Sequence, residues 1–202
     1  MNYKNIIRSI CILLLLNSCS HRNKNRVYTS SELESIRQEF NLPKDKTFIL
    51  STSYLPYLFS LDSAKFGLEI KNHYQPIQAA YYDKTGRLVS FHINCYAFNE
   101  NNDTTTLEWN KKNAFDKFIP ITSAPLDTII SLKKHLEFLK TFQNHTVDTS
   151  VLAKYDYTVI VHFSNVFRPN DSKNLIELVK SNTRLAIGKS VNIFYVNVDN
   201  SW

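Results

Sequence analysis

This chain of 202 residues has few glycines, and its histidines are scattered along the sequence. The first feature excludes glycine-rich loops, and the second argues against a metal site. Only three glycines occur, so there is no glycine-rich phosphate-binding loop and no Gly-x-Ser-x-Gly nucleophile elbow. Six histidines occur, but none stands at the spacing of metal ligands, and the acidic residues form no evident acid–base pair. We therefore predict no metal site, no cofactor and no catalytic residue.

The start of the chain carries an export signal. Lys4 and Arg8 precede the apolar run at 10–16, and Asn17-Ser18-Cys19 follows. A basic segment, a short apolar segment and a small residue before the cut are typical of a secretory signal, and the apolar run is too short to span a membrane.

Leu16-Asn17-Ser18-Cys19 resembles a bacterial lipobox, in which Leu stands three places before the cysteine and a small residue one place before it. The resemblance implies a signal peptide at 1–18 and acylation of Cys19 as the new N-terminus. It also implies anchorage to a bacterial membrane, inner or outer, with the body facing the periplasm.

The net positive charge of the chain comes almost entirely from its first 30 residues. The chain has 24 Lys and Arg against 18 Asp and Glu, but five of the basic residues precede Ser30, so 19 remain beyond it. A nearly neutral body does not support a nucleic-acid partner. The segment 19–30 is polar and basic, which predicts a flexible tether, with binding to anionic lipid as an alternative. Residues 31–202 then form one globular domain.

One cysteine remains once the leader is removed and Cys19 is acylated, so the mature chain has no intramolecular disulfide. Cys95 falls on the apolar side of an alternating run that includes Phe91 and Ile93, which predicts a small buried side chain. The alternate positions Ser90, His92, Asn94 and Tyr96 predict a half-solvated sheet face, with a polar ligand site as the less favoured alternative.

The first half of the chain predicts short elements and a hairpin. Ser31-Glu32-Leu33-Glu34 matches a helix capping box. The aromatic stretch 54–59 contains Pro56 and predicts a loop, either packed over the core or exposed as a binding surface, and 66–71 predicts a short strand. Two β-rich runs, 77–82 and 87–98, are joined by Asp83-Lys84-Thr85-Gly86, which predicts an antiparallel hairpin.

The second half predicts a long helix and then strand, helix, strand. Apolar residues recur at helical spacing over 125–142. A strand over 155–163, a helix from Asp171 or Ser172 and a strand over 191–198 read as a βαβ crossover with parallel strands. The fold class is therefore α/β or α+β.

The unit at 155–200 resembles the thioredoxin-like superfamily. The similarity is carried by the buried strand Val159–Phe163, by Pro169 before the helix and by Val196-Asn197-Val198-Asp199. It implies a degenerate or permuted thioredoxin-like sheet, in which the upstream hairpin pairs with the C-terminal strands. The positions of the family's redox cysteines fall on Phe167 and Asn170, so thiol–disulfide exchange is disfavoured.

Together these features predict a membrane-anchored, non-catalytic binding or scaffold protein of the cell envelope, with the membrane and an envelope protein as partners. The alternative is an enzyme with an unrecognised site at the loop 164–170, where Asn165, Arg168 and Asn170 follow a strand. His162 lies in an apolar strand and is expected to be a hydrogen-bonded core residue rather than a ligand.

Overall fold

The computed structural model describes residues 27–98, 107–147, 150 and 154–202. The leader, Cys19, most of the tether and the polar loop at 99–106 lie outside this part of the chain. The described helices are α1 (Ser30–Glu39), α2 (Tyr54–Ser60), α3 (Ser63–His73), α4 (Leu132–Glu137) and α5 (Pro169–Thr183). The strands are β1 (Thr47–Leu50), β2 (Gln78–Asp83), β3 (Leu88–Ile93), β4 (Leu139–Lys140), β5 (Tyr157–Phe163) and β6 (Val191–Asn197).

The six strands form one mixed sheet in the order β3-β2-β5-β6-β1-β4. β5, β6 and β1 are parallel, while β2, β3 and β4 run antiparallel to their neighbours. The predicted mixed fold of helices and strands is confirmed. β2 pairs with β5 from Gln78↔His162 to Asp83↔Tyr157, so the hairpin joins the C-terminal unit as the permuted arrangement requires. Kinship with the thioredoxin-like superfamily stays a prediction.

The predicted hairpin forms because its turn residues satisfy its geometry. Gly86 adopts a φ of 82°, which glycine tolerates without steric cost. The Asp83 carboxylate accepts from the backbone N–H groups of Thr85 and Arg87 and closes the turn. The predicted βαβ unit is also confirmed, as β5, α5 and β6.

The second hairpin strand is shorter than predicted and is buried on both faces. β3 ends at Ile93 and a 3₁₀ turn, Asn94–Tyr96, follows. The expected half-solvated face is wrong, because the segment after residue 107 covers it: Ser90 and His92 are fully buried, and Phe115 lies 4.4 Å from the His92 ring. Because the strand alternation stops at Ile93, Cys95 is exposed rather than buried, and its thiol contacts Gln75 Oε1.

The first helix begins two residues earlier than the capping-box pattern predicted. Thr29 is the N-cap: its side chain accepts from the Glu32 backbone N–H, and the Glu32 carboxylate accepts from the Thr29 backbone N–H. Leu33 and Ile36 then face the core. The motif Thr29-x-x-Glu32 overlaps the predicted Ser31-x-x-Glu34, and the hydrogen bonds of the capping box form at Thr29 and Glu32.

Replacing Thr29 with alanine is therefore expected to cost about 1 kcal/mol of unfolding free energy, since one backbone donor at the helix start loses its acceptor. Urea unfolding measures this. Ser31→Ala is the matched control, because Ser31 lies inside the helix and its hydroxyl contacts only Thr29 among side chains. An equal loss for Ser31→Ala would contradict the assignment of the cap.

Two further predictions of local structure are wrong. Residues 63–73 form α3 rather than a strand, because the Asp62 side chain accepts from the Ala64 N–H and starts a helix there. The stretch 54–59, predicted as a loop, belongs to helix α2. Pro56 lies in the first turn of that helix, where its missing N–H breaks no helical bond.

The prediction of a long helix over 125–142 is wrong in length, because only α4, Leu132–Glu137, is helical there. Asp127 is drawn away from a helical path because its carboxylate contacts the His73 ring and accepts from the Ile129 N–H. Ser131 then caps α4 by accepting from the Lys134 N–H. Tertiary contacts of one carboxylate thus override an apolar helical pattern.

Each face of the sheet carries its own core. Residues of α2, α3 and α4 pack with Phe91 and Ile160 on one face, while α1, α5, Trp109 and Phe115 pack with Val161 on the other. Among the described residues, no helix is both long enough and apolar enough to cross a membrane. The carboxyl ends of β5, β6 and β1 lie at one end of the sheet, together with the last residues of the chain.

Candidate functional site

The loop after β5, which holds the predicted site residues, is closed by Asp199. The Asp199 carboxylate accepts from the Ser164 hydroxyl and from the Asn165 backbone N–H, the latter at 2.9 Å. The Ser164 Oγ in turn accepts from the Phe167 N–H at 2.7 Å. The backbone N–H groups of Asn165 and Phe167 are therefore already used inside the protein.

The other two predicted residues, Arg168 and Asn170, lie at the start of α5. Arg168 precedes α5 in a left-handed conformation, and its Nε donates to Asp171 at 2.6 Å while its guanidinium lies over the Phe98 ring. Asn170 is exposed in the first turn of α5. The structure does not gather Asn165, Arg168 and Asn170 around a cavity.

A buried polar network lies between the sheet and α2–α4. Its members come from sequence positions far apart, and their side chains are fully buried or nearly so: Tyr54, His73, Gln78, Tyr82, Asp127, His135 and His162. His135 Nε2 and His162 Nε2 are 2.9 Å apart, and Tyr82 Oη lies 3.0 Å from His135 Nδ1. His162 is thus the hydrogen-bonded core histidine that its position in the strand predicted.

The ring contacts of this network suit neutral histidines. Gln78 Nε2 lies 2.9 Å from His162 Nδ1, and it also lies within 3.2 Å of the carbonyl oxygens of His73 and Gln75, so its two hydrogens are shared among three acceptors. The contact between His135 Nε2 and His162 Nε2 needs one nitrogen to donate and the other to accept, which two neutral rings provide. If both rings were protonated, both nitrogens would carry hydrogen and the contact would be lost.

Burial favours the same neutral state. Loss of hydration lowers the pKa of His162 to about 3, and it holds the pKa of His135 well below its ordinary value, with the nearby His162 and His73 adding to the effect. On the other face of the sheet, burial lowers the pKa of His92 to about 3. Enclosed neutral rings of this kind specify packing and offer no contact with a substrate.

The titratable groups do not assemble into a metal centre. Within 27–98, 107–147 and 154–202, no group of three or more His, Cys, Asp or Glu side chains is arranged to hold a metal ion. His135 and His162 are used by each other, and His73 is used by Asp127.

Two clefts open on either side of Trp109, with volumes near 390 and 440 Å³. The first is lined partly by Glu108, Lys111 and Thr122, and the second lies against α5. Neither is lined by the loop 164–170 or by a histidine. The Thr122 hydroxyl at the first cleft donates to the Ala124 carbonyl oxygen at 2.6 Å.

Three large side chains form an exposed aromatic surface, defined here as Phe59, Tyr74 and Trp202. Their exposed fractions are 62%, 39% and 38%, and the ring centroids lie 5.4 Å apart for Phe59–Tyr74 and 6.0 Å apart for Tyr74–Trp202. Trp202 Nε1 donates to the Tyr74 carbonyl oxygen at 3.1 Å, which fixes the indole.

Only part of this surface was signalled by the sequence. The stretch 54–59 raised the possibility of an aromatic binding surface, but Tyr54 is fully buried and Tyr57 half-buried, which leaves Phe59 as its exposed ring. Tyr74 and Trp202 join it from 15 and 143 residues further along the chain, and no local pattern links positions so far apart.

Comparisons of the chain with protein-family models, with curated proteins and with solved structures find no match.

Proposed function

We propose that this chain is a lipid-anchored, non-catalytic binding protein of the bacterial cell envelope, held by an acylated Cys19 and facing the periplasm. Its binding site is the aromatic surface. The observation that carries the proposal is that Phe59, Tyr74 and Trp202 are exposed, in mutual contact and held in place by a hydrogen bond.

Exposed aromatic groups in contact are a recognised feature of binding surfaces. Trp and Tyr bring large contact areas at low cost in conformational entropy, and they dominate the energetics of many interfaces. Single exposed apolar residues are common, but a contiguous group of them marks an interaction site. Ile187, which is 92% exposed and lies outside the aromatic surface, is the contrasting case in this chain.

The arrangement supports binding more than catalysis. The histidines with lowered pKa values are enclosed, Asp199 accepts from the Asn165 N–H in the loop 164–170, and the Thr122 hydroxyl at the cleft beside Trp109 donates to a backbone carbonyl oxygen. Thiol–disulfide exchange lacks its reacting pair, because Cys95 has no second thiol in the mature chain.

Photo-crosslinking in intact envelopes tests the proposal. A photoreactive amino acid in place of Phe59 is expected to give discrete adducts, and the further change Trp202→Ser is expected to reduce their yield about tenfold, because an anchoring aromatic ring is lost. Mass spectrometry of the mature N-terminal peptide is expected to find acyl groups on Cys19.

The same photoreactive group at Ile187 is the control. Ile187 precedes β6 whereas Trp202 follows it, so the two positions mark opposite ends of that strand. Equal adduct yields at positions 59 and 187, or adducts that persist unchanged in the Trp202→Ser protein, would overturn the aromatic surface as the binding site. An unmodified Cys19 would overturn the anchor.

A further inference from the structure

The tether and the aromatic surface meet at the same end of the molecule. The backbone N–H of Tyr28 donates to Asn200 Oδ1 at 2.7 Å, and Asn200 Nδ2 donates to the Tyr28 carbonyl oxygen at 3.1 Å. Asn200 is two residues from Trp202. The chain segment that leads back to Cys19 therefore leaves the folded body beside the aromatic surface.

The length of that segment limits how far the body can move from a lipid on Cys19. Seven residues separate Cys19 from Val27. Fully extended, this stretch spans at most about 29 Å, and a flexible chain of the same length has a typical end-to-end distance of about 15 Å. The end of the body that carries Phe59, Tyr74 and Trp202 is thus confined to within a few nanometres of the bilayer.

The chemistry of this end suits the headgroup region of a membrane. Trp and Tyr are enriched at membrane interfaces, because each combines an apolar ring with a polar group that stays hydrated. Val27, which is 72% exposed, adds apolar area where the tether begins. Arg22, Lys24 and Arg26 give the tether three positive charges with no acidic residue among them, and such segments are attracted to anionic lipids.

We propose that the aromatic surface docks on the lipid bilayer itself, so that the body lies with the carboxyl end of its parallel strands against the membrane. This inference rests on the proposed function for the lipid at Cys19, and it names the partner of the same surface. Confinement by the tether raises the effective concentration of the surface at the bilayer, so weak insertion of three rings is sufficient.

The two tryptophans allow a direct test. The acylated protein is reconstituted into vesicles of phosphatidylethanolamine and phosphatidylglycerol, with or without bromine on the acyl chains as a quencher of indole fluorescence. Trp202 is one of two tryptophans and Trp109 is buried, so we expect brominated vesicles to remove up to about half of the emission. The Trp202→Phe protein, which keeps Trp109, is expected to show no such loss.

A second measurement does not depend on the lipid anchor. In flotation with the same vesicles, the Cys19→Ala protein is expected to bind weakly, and Tyr74→Ser with Trp202→Ser is expected to weaken its binding about tenfold. Ile187→Ser, which removes a more exposed apolar side chain at the other end of β6, is expected to leave flotation unchanged.

The outcomes separate the two proposals. If Cys19 carries no acyl group, the anchor fails whatever the fluorescence shows. If Cys19 is acylated but brominated vesicles leave Trp202 unquenched, bilayer docking is overturned while the anchor stands. Crosslinks from position 59 to protein but not to lipid would also overturn docking, and would assign the aromatic surface to a protein interface.

Discussion

Lowering the pH from 7 to 5 is expected to destabilise this protein by about 4 kcal/mol through His92 and His162 alone. Burial holds the pKa of both side chains near 3, against about 6.5 in an unfolded chain. Below pH 6.5 these two histidines bind protons in the unfolded state, whereas in the native state they stay neutral until the pH approaches 3. Stability is therefore full above that pH and is lost at about 1.4 kcal/mol per pH unit per histidine as the pH falls toward 3.

The loss should be large compared with the total stability of an ordinary domain, which is roughly 5–15 kcal/mol. His135 adds to this loss of stability, since its pKa is also lowered. Because its ring contacts His162, protonation of one of the two rings disfavours protonation of the other, and their contributions are not independent. Asp156, whose pKa is lowered by hydrogen bonds from Ser190, loses its contribution at more acidic pH. The interval from pH 6.5 to 5 therefore isolates the histidines.

Urea unfolding at pH 7, 6 and 5 measures this slope. His92→Gln is expected to reduce the difference between pH 7 and 5 by about 2 kcal/mol, because one titrating group is removed. His145→Gln is the matched control, because it removes a histidine that is exposed rather than buried. A stability that stays constant between pH 7 and 5 would show that the buried histidines accept protons without unfolding.

Replacing Asp127 with alanine is expected to destabilise the protein by about 3 kcal/mol. Both carboxylate oxygens lie within 3.1 Å of His73 Nε2, and the two side chains are almost completely buried. Removal of the carboxylate leaves a buried ring N–H with no acceptor. It also removes the acceptor of the Ile129 N–H, which holds the turn before α4.

Two variants give this prediction its contrast in the same unfolding assay. Asp127→Asn keeps one oxygen that can accept a hydrogen bond, and it is expected to cost clearly less than the alanine change. Glu137→Ala breaks the exposed contact with Lys134, for which a loss below about 0.5 kcal/mol is expected. A loss for Asp127→Ala no greater than that for Glu137→Ala would contradict a structural role for the buried pair.

Much of the sheet was predictable from local patterns. Asp83 and Gly86 predict their turn, because the aspartate side chain can accept from nearby backbone N–H groups and glycine tolerates a positive φ. The run Val159–Phe163 reads as a buried strand because both faces are apolar. Such features depend on a few neighbouring residues, and they sufficed for the mixed fold and its C-terminal βαβ unit.

Side-chain hydrogen bonds set two helix starts that the local patterns misplaced. Thr29 rather than Ser31 caps α1, and Asp62 caps α3 ahead of the segment 66–71 that was predicted as a strand. Position 95 was misassigned because β3 stops at Ile93, where the chain turns and alternation no longer describes which side faces the core.

The sequence by itself determined the nearly neutral body beyond residue 30, the hairpin and the C-terminal order of strand, helix and strand, because composition and short-range spacing carry that information. The export signal stays a prediction. Only the tertiary structure decided that His135 meets His162, that Asp127 meets His73, and that Tyr74 and Trp202 join Phe59 beside the tether. These contacts join residues up to 128 positions apart. Which distant side chains become neighbours depends on how the sheet closes, and no short-range rule contains that choice.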